Sequence, residues 1–231
     1  MEQITIWQQN VNKSPTCQHT LLSNVTLVKH KIAVIALQEP VVNAFNNTIT
    51  SKDWITVYPS THHEHLDKTR TLTFINMAVS TDAWEQIDFP SGDITIITLK
   101  GIWGTVSIFN IYNDCANSET IHQLKAFHRL HPEIMETPEE GTAHVLWVGN
   151  FNHHHLFWDN PSDTRLFTME AMKAATTLIE VIASLGLELA LPSSIPTHYH
   201  NVTKKWSRLD QVFISDHSTD LLEACNTEIR Y

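Results

Sequence analysis

Amides and carboxylates that close apolar runs are the recurring chemical pattern of this sequence. Asn10 ends an alternating segment from Gln3 that is rich in Ile and Trp, and Glu39 ends the apolar run that begins at Lys31. Tyr112, Asn113 and Asp114 follow a third run, and Gly149, Asn150, Phe151 and Asn152 a fourth. Asp210 lies in Ser207-Arg208-Leu209-Asp210. Side chains just past strand ends are where α/β sheets gather their sites. One carboxylate with amide oxygens, completed by a phosphate, is an ordinary shell for a hard divalent cation in phosphodiester chemistry. Taken singly, each residue reads more readily as a strand-end cap or turn former. Their ordered recurrence carries the functional reading.

These residues need strands to position them. The continuous apolar stretch Lys31 to Gln38 predicts a strand buried on both faces. Trp54 to Tyr58, Leu72 to Ser80, Ile94 to Leu99, Val106 to Tyr112, His144 to Gly149 and Leu209 to Ile214 predict further strands, bounded by turn residues. Ser14-Pro15 predicts a capped helix start, with Leu21, Val25 and Val28 on one face. Two more helices fit Ser118 to His131, with Ile121, Leu124 and Phe127 inward, and Arg165 to Ser184, with Met172, Ala175, Ile179 and Ile182 on one stripe closed by Gly186. A short helical piece is expected from Ser218 to Ala224. Strands alternating with helices predict an α/β domain with mixed sheets.

The 231 residues, 42% of them hydrophobic, can bury one substantial core, so residues 1–231 are read as a single domain. No run approaches the roughly 18 apolar residues of a membrane span. Three cysteines without metal-type spacing and no apolar leader point to an intracellular setting, nucleus or cytoplasm, rather than secretion. The formal charge of −10 opposes nucleic-acid binding unless one face is locally basic. The 15 histidines are a partial answer, because imidazoles near a polyanion take up protons.

The segments Trp7 to Ser14, Ala36 to Pro40, Ile108 to Asp114, Trp147 to Asn152 with His154, His155 and Trp158 after it, and Trp206 to Asp210 resemble, in order and spacing, the endonuclease domain of LINE-type non-LTR retrotransposons. That domain belongs to the endonuclease/exonuclease/phosphatase superfamily, and the likeness is to its fungal Tad-like group. The resemblance implies a DNase I-like, four-layer αββα sandwich and a Mg²⁺ (or Mn²⁺) dependent hydrolysis of DNA phosphodiesters. It implies Glu39 and Asn10 at the metal, and Tyr112, Asn150, Asn152 and Asp210 as the catalytic set. Asn10, Asn113, His154 and Trp158 are then the substrate contacts, and DNA is the partner.

Two departures temper the expectation of activity. The family pattern reads Gly-Asp-Phe-Asn where this chain has Asn150, and a neutral amide accepts a proton from an attacking water poorly. The resemblance also implies a last Ser-Asp-His strand well beyond Asp210, so the domain is read as truncated before it. Ser215-Asp216-His217 is expected at the end of the strand that carries Asp210, unable to turn back onto the site. The function expected is an impaired or inactive retrotransposon-derived endonuclease. The alternatives are a non-catalytic nucleic-acid or protein binding module of the same fold, or a decayed fragment without a selected role. The triplet His153 to His155 is read as a loop rather than a metal site, and His62, His63 and His65 as a solvated loop. Trp147 is assigned to the core and Trp158 to the rim.

Overall fold

The computed structural model describes residues 3–24, 32–65, 68–114, 117–135, 142–200 and 202–228. The chain runs β1 (Thr5–Asn10), α1 (Pro15–Leu22), β2 (Ile32–Gln38), β3 (Trp54–Val57), β4 (Thr71–Asn76), β5 (Trp84–Ile87), β6 (Ile94–Gly101) and β7 (Gly104–Tyr112). It continues α2 (Glu119–Leu130), β8 (Ala143–Asn150), α3 (Met169–Ser184), β9 (Leu187–Leu189), β10 (His198–His200), β11 (Lys205–Ser207) and β12 (Asp210–Ser215). Val25, Val28 and Cys115 lie outside the described residues.

Side-chain alternation with a period of two turns the apolar strands into two-sided layers. Along β2, Val34 and Ala36 face the other sheet, while Ile35 and Leu37 face α1. Along β8, Leu146 and Val148 point inward and Val145 and Trp147 outward. The four-stranded sheet has the order β1-β2-β4-β3, and the six-stranded sheet β5-β6-β7-β8-β12-β9. Among the described residues, only β1–β2 and β7–β8 pair in parallel. Val34, Ala36, Ile75, Ile97, Ile108 and Val148 fill the space between the sheets. Leu21 and Leu22 of α1 cover the outside of the smaller sheet; Ile121, Leu124, Leu178 and Val181 of α2 and α3 cover the larger one. The result is the four-layer αββα sandwich expected.

Local chemistry sets the helix ends. The Ser14 hydroxyl accepts from the Cys17 N–H at 3.2 Å, and Thr168 does the same for Ala171 at 3.1 Å. The second cap starts α3 at Met169, later than the expected Arg165; its stripe includes the expected Ala175 and Ile182, adds Leu178 and Val181, has Ile179 packed partly buried against it, and omits Met172. Gly186, at φ +61°, takes the left-handed position after that helix. The short strands β5, β9, β10 and β11 lie outside the sequence expectations. The expected helical piece near the C-terminal end is a 3-10 turn, Asp216–Leu221.

Polar residues thread the apolar interior. Asn110, fully buried on β7, donates from Nδ2 to Leu72 O of the opposite sheet at 2.8 Å, and its Oδ1 accepts from Gln38 Nε2 at 2.6 Å. His62 is also buried, contrary to the solvated-loop reading: its ring stacks on Tyr58 at 4.1 Å and its nitrogens meet Thr69 Oγ1 and Asn46 O. His128 is stranger. It is 3% exposed, packed among Phe109, Phe127 and Trp147, and neither ring nitrogen has a hydrogen-bond partner among the described residues. Loss of solvent, aided by the nearby His131, pushes its pKa down to about 4.

Candidate active site

Strand register brings the expected catalytic residues to one edge of the sandwich. Asn150 pairs across the ladder with Tyr112 on β7 and with Asp210 on β12, so these residues sit at one level of three adjacent strands. From the smaller sheet come Asn10, at the end of β1, and Glu39, just past β2. Asn10 Nδ2 donates to Glu39 Oε2 at 2.9 Å, and the Tyr112 hydroxyl lies 3.5 Å from Glu39 Oε1. Carboxylate, phenol and amides from both sheets therefore converge.

Backbone strain marks the same place. Glu39 holds φ +48° and Asn152 φ +54°, in the left-handed region. Asn tolerates that region well and Glu poorly, so neighbours must hold the latter in place. The Glu39 N–H donates to Arg70 O and its carbonyl accepts from Lys13 N–H, both at 2.8 Å. Arg70 itself stacks its guanidinium 4.9 Å from the Tyr112 ring centroid and pairs with Asp93 and Asp114. Burial would lower its pKa, but hydrogen bonds to those two carboxylates raise it, so the cation beneath Tyr112 is permanent.

A second set of amides reaches Asp210. Gln8 Nε2 donates to Asp210 Oδ1 at 3.1 Å and also meets Gln38 Oε1, which connects Asp210 through Gln8 and Gln38 to Asn110. The Thr197 hydroxyl accepts from the N–H groups of Leu209 and Asp210 at 3.1 Å. Loss of solvent raises the pKa of Asp210, opposed by hydrogen bonds from Thr197 and Gln8 and by the charges of His198 and Arg208. Its surface is not fully covered, yet protein crowds the carboxyl. Replacing Gln8 by Leu strips Asp210 and Gln38 of these contacts, and unfolding free energy is expected to fall by about 1–3 kcal/mol. A urea titration checks this; an unchanged midpoint would show that the amide chain contributes nothing.

Several expected contacts take other roles. Asn113 is completely buried: its Nδ2 donates to Phe151 O at 2.9 Å and approaches His153 Nε2 at 3.2 Å, and its carbonyl accepts from Asn152 Nδ2 at 2.7 Å. It shapes the loop and has no surface to offer a substrate. Trp158, expected at the rim, is likewise buried, with Nε1 donating to His153 O at 3.1 Å. Asn10 gives its amide nitrogen to Glu39 and its oxygen to the Asn12 N–H at 2.8 Å, so in this arrangement it orients the carboxylate instead of adding an oxygen ligand. His154 remains partly exposed beside Asp159, at 3.2 Å. The ring nitrogens of His153, His154 and His155 turn to different partners. His217 donates from Nε2 to Ala143 O at 2.8 Å, at the far end of β8 from Asn150.

Gln8, Arg70, Thr197 and Arg208 belong to the site's support and are absent from the sequence expectations. Only Gln8 carries a usable signal: the period of β1 places it on the same face as Asn10. Arg208 is 1% exposed, and its guanidinium donates to Pro192 O at 2.6 Å and Leu191 O at 2.9 Å, pinning the loop that leads into β10. Burial pushes its pKa down to about 10.

The donor set suits a hard cation with one protein carboxylate, leaving other positions to water and phosphate oxygens. Among the described residues no group of three or more His, Cys, Asp or Glu side chains is placed to hold a metal ion. No helix among the described residues is long and apolar enough to cross a membrane.

A family model described as endonuclease-reverse transcriptase matches residues 106–230. No protein of curated function matches the sequence. Among solved structures, the chain is similar to the endonuclease domain of TRAS1, a telomere-specific non-LTR retrotransposon, with TM-score 0.68 and 15% identity over 95% of this chain and 88% of that one. It is also similar to the AP endonuclease LMAP from Leishmania major, with TM-score 0.68 and 11% identity over 93% and 80% of the two chains. The catalytic domain of Xenopus laevis APE2 gives TM-score 0.63 and 14% identity over 93% and 83%.

Proposed function

Because this chain belongs to the endonuclease-reverse transcriptase family, we propose that it is a nuclease-type phosphodiesterase fold acting on DNA, of retrotransposon origin and weakened at its catalytic centre. The observation that carries the reading is the meeting of Asn10 and Glu39 from one sheet with Tyr112, Asn150 and Asp210 from the other. In it, Glu39 would hold Mg²⁺ or Mn²⁺, and the bound ion would supply polarisation of the scissile phosphate and stabilisation of charge on the leaving oxygen. Asn10 fixes the Glu39 carboxylate, Tyr112 presents its hydroxyl beside it, and Asn152 lines the approach. Asn150 stands where a carboxylate would take the proton of the attacking water. Within the family, the five segments taken together resemble the fungal Tad-like group.

One observation favours a second reading, a binding module without turnover: the amide of Asn150 carries no charge, and its oxygen is already engaged by the Asn152 N–H at 3.1 Å. Nicking of supercoiled plasmid separates the two. The enzyme reading expects slow, Mg²⁺-dependent nicking that Glu39→Gln reduces to the level of a protein-free control. DNA retention with no nicking at any Mg²⁺ concentration would support the binding module and remove the enzyme reading.

A further inference from the structure

We propose that the groove between the β10–β11 hairpin and the loop following β8 is a phosphate subsite for the nucleic-acid backbone, with affinity set by imidazole protonation. The inference rests on the DNA-acting reading above and adds a residue set and a pH dependence to it. A chain with 25 acidic and 15 basic residues must reverse its charge locally to hold a polyanion. The groove, of about 210 Å³, does so: Arg165, Lys205, His154, His198 and His200 line it, and none of its lining residues is a carboxylate. From Pro192 to Leu209 the sequence contains no acidic residue and supplies Lys204, Lys205 and Arg208.

The hairpin register explains the grouping. Tyr199 pairs with Trp206, while His198 pairs with Ser207 and His200 with Lys205. Alternation sends Tyr199 and Trp206 to one face, where their rings meet at 5.0 Å, and sends His198, His200 and Lys205 to the other, which is the groove face. The aromatic pair braces the strand that carries the imidazoles. Neighbouring charges are mostly committed. Asp163 pairs with Arg165 at 2.6 Å, and that guanidinium also donates to Trp206 O, tying the groove wall to the hairpin. Asp159 faces His154, and Asp210 lies close enough to His198 for their charges to interact. Lys204 adds a further positive charge beside Lys205. A phosphate entering here meets donors and cations, and each imidazole that gains a proton as pH falls strengthens the field.

The test is binding of the full chain to a short duplex oligonucleotide in EDTA, which excludes turnover, followed by fluorescence anisotropy. Between about pH 8 and about pH 5.5 the affinity is expected to rise about tenfold, and the His198→Gln/His200→Gln variant is expected to lose most of that rise. Both imidazoles are exposed, so an unchanged thermal midpoint accompanies this result. Lys205→Gln should weaken binding at both pH values. A double variant that retains the full increment overturns the proposal. So does saturation by inorganic phosphate with no gain for the duplex, which makes the groove a small-anion site. Because the measurement needs no Mg²⁺, a chain that fails to nick plasmid but shows this pH-dependent binding sinks the enzyme reading and leaves the subsite standing.

Discussion

Substituting Asn150 by Asp alone is expected to recover only a small part of the about 10²–10⁴-fold in Mg²⁺-dependent nicking that a positioned general base supplies, because the histidine of Ser215-Asp216-His217 is held at the far end of β8 and cannot serve Asp210. The change replaces an amide nitrogen with an oxygen and leaves the volume nearly untouched. The acceptor that Asn152 N–H uses is retained, so the loop that follows β8 keeps its turn. What is gained is a negative oxygen at the level of Tyr112 and Asp210, able to align a water and take its proton. The opposing effect is repulsion from Asp210, directly across the ladder. Loss of solvent already pushes the pKa of Asp210 upward, against hydrogen bonds from Thr197 and Gln8, and a second carboxylate across the ladder pushes it the same way. Single-turnover nicking of supercoiled plasmid measures the gain, and adding Glu39→Gln to the same chain should cancel it. Equal rates for the unaltered chain and the Asn150→Asp variant would mean that proton transfer to this position is not what limits the reaction.

The second effect is on stability in acid. His128 sits in an apolar pocket with its pKa down at about 4, against an ordinary value of 6.5. In the unfolded chain the imidazole takes up a proton first, so the unfolded state binds more protons between those values. The stability that His128 contributes is complete above about pH 6.5, and falls as pH drops toward about 4, by up to about 3 kcal/mol at 1.36 kcal/mol per pKa unit. His128→Phe keeps an aromatic ring between Phe109 and Trp147 and removes two buried nitrogens that lack partners among the described residues. Unfolding free energy measured by urea at about pH 7 and about pH 4.5 should show a shallower acid loss in the variant, together with higher stability at neutral pH. An unchanged acid slope would place the sensitivity in other histidines.

Much of the frame is legible in the sequence because burial and periodicity coincide in it. The apolar runs of β2, β4, β6, β7 and β8 announce strands, and polar residues at their ends announce where the site gathers. The short strands β5, β9, β10 and β11 stay hidden for a different reason. They are brief and largely exposed, and His-Tyr-His or Lys-Trp-Ser carries no run of apolar residues to signal pairing. Burial of polar side chains is equally hidden. Asn113, His62 and Trp158 look like surface or rim residues by type, yet each is enclosed, with Asn113 Nδ2, both His62 ring nitrogens and Trp158 Nε1 meeting specific partners. The left-handed turn at Glu39 has no sequence signal at all, since Glu has no preference for it and neighbouring backbone holds it there.

The amide chain from Asn110 through Gln38 and Gln8 to Asp210 also has a mechanical consequence. It stitches the two halves of the sandwich directly behind the catalytic edge, where a cleft enzyme would carry its hinge. Prising the halves apart would leave several enclosed amides without partners, so that motion is energetically closed to the protein. In the DNA-acting role proposed above, the burden of adjustment would shift to the duplex, which would meet this rigid edge by bending or opening its own groove, most easily at flexible pyrimidine–purine steps.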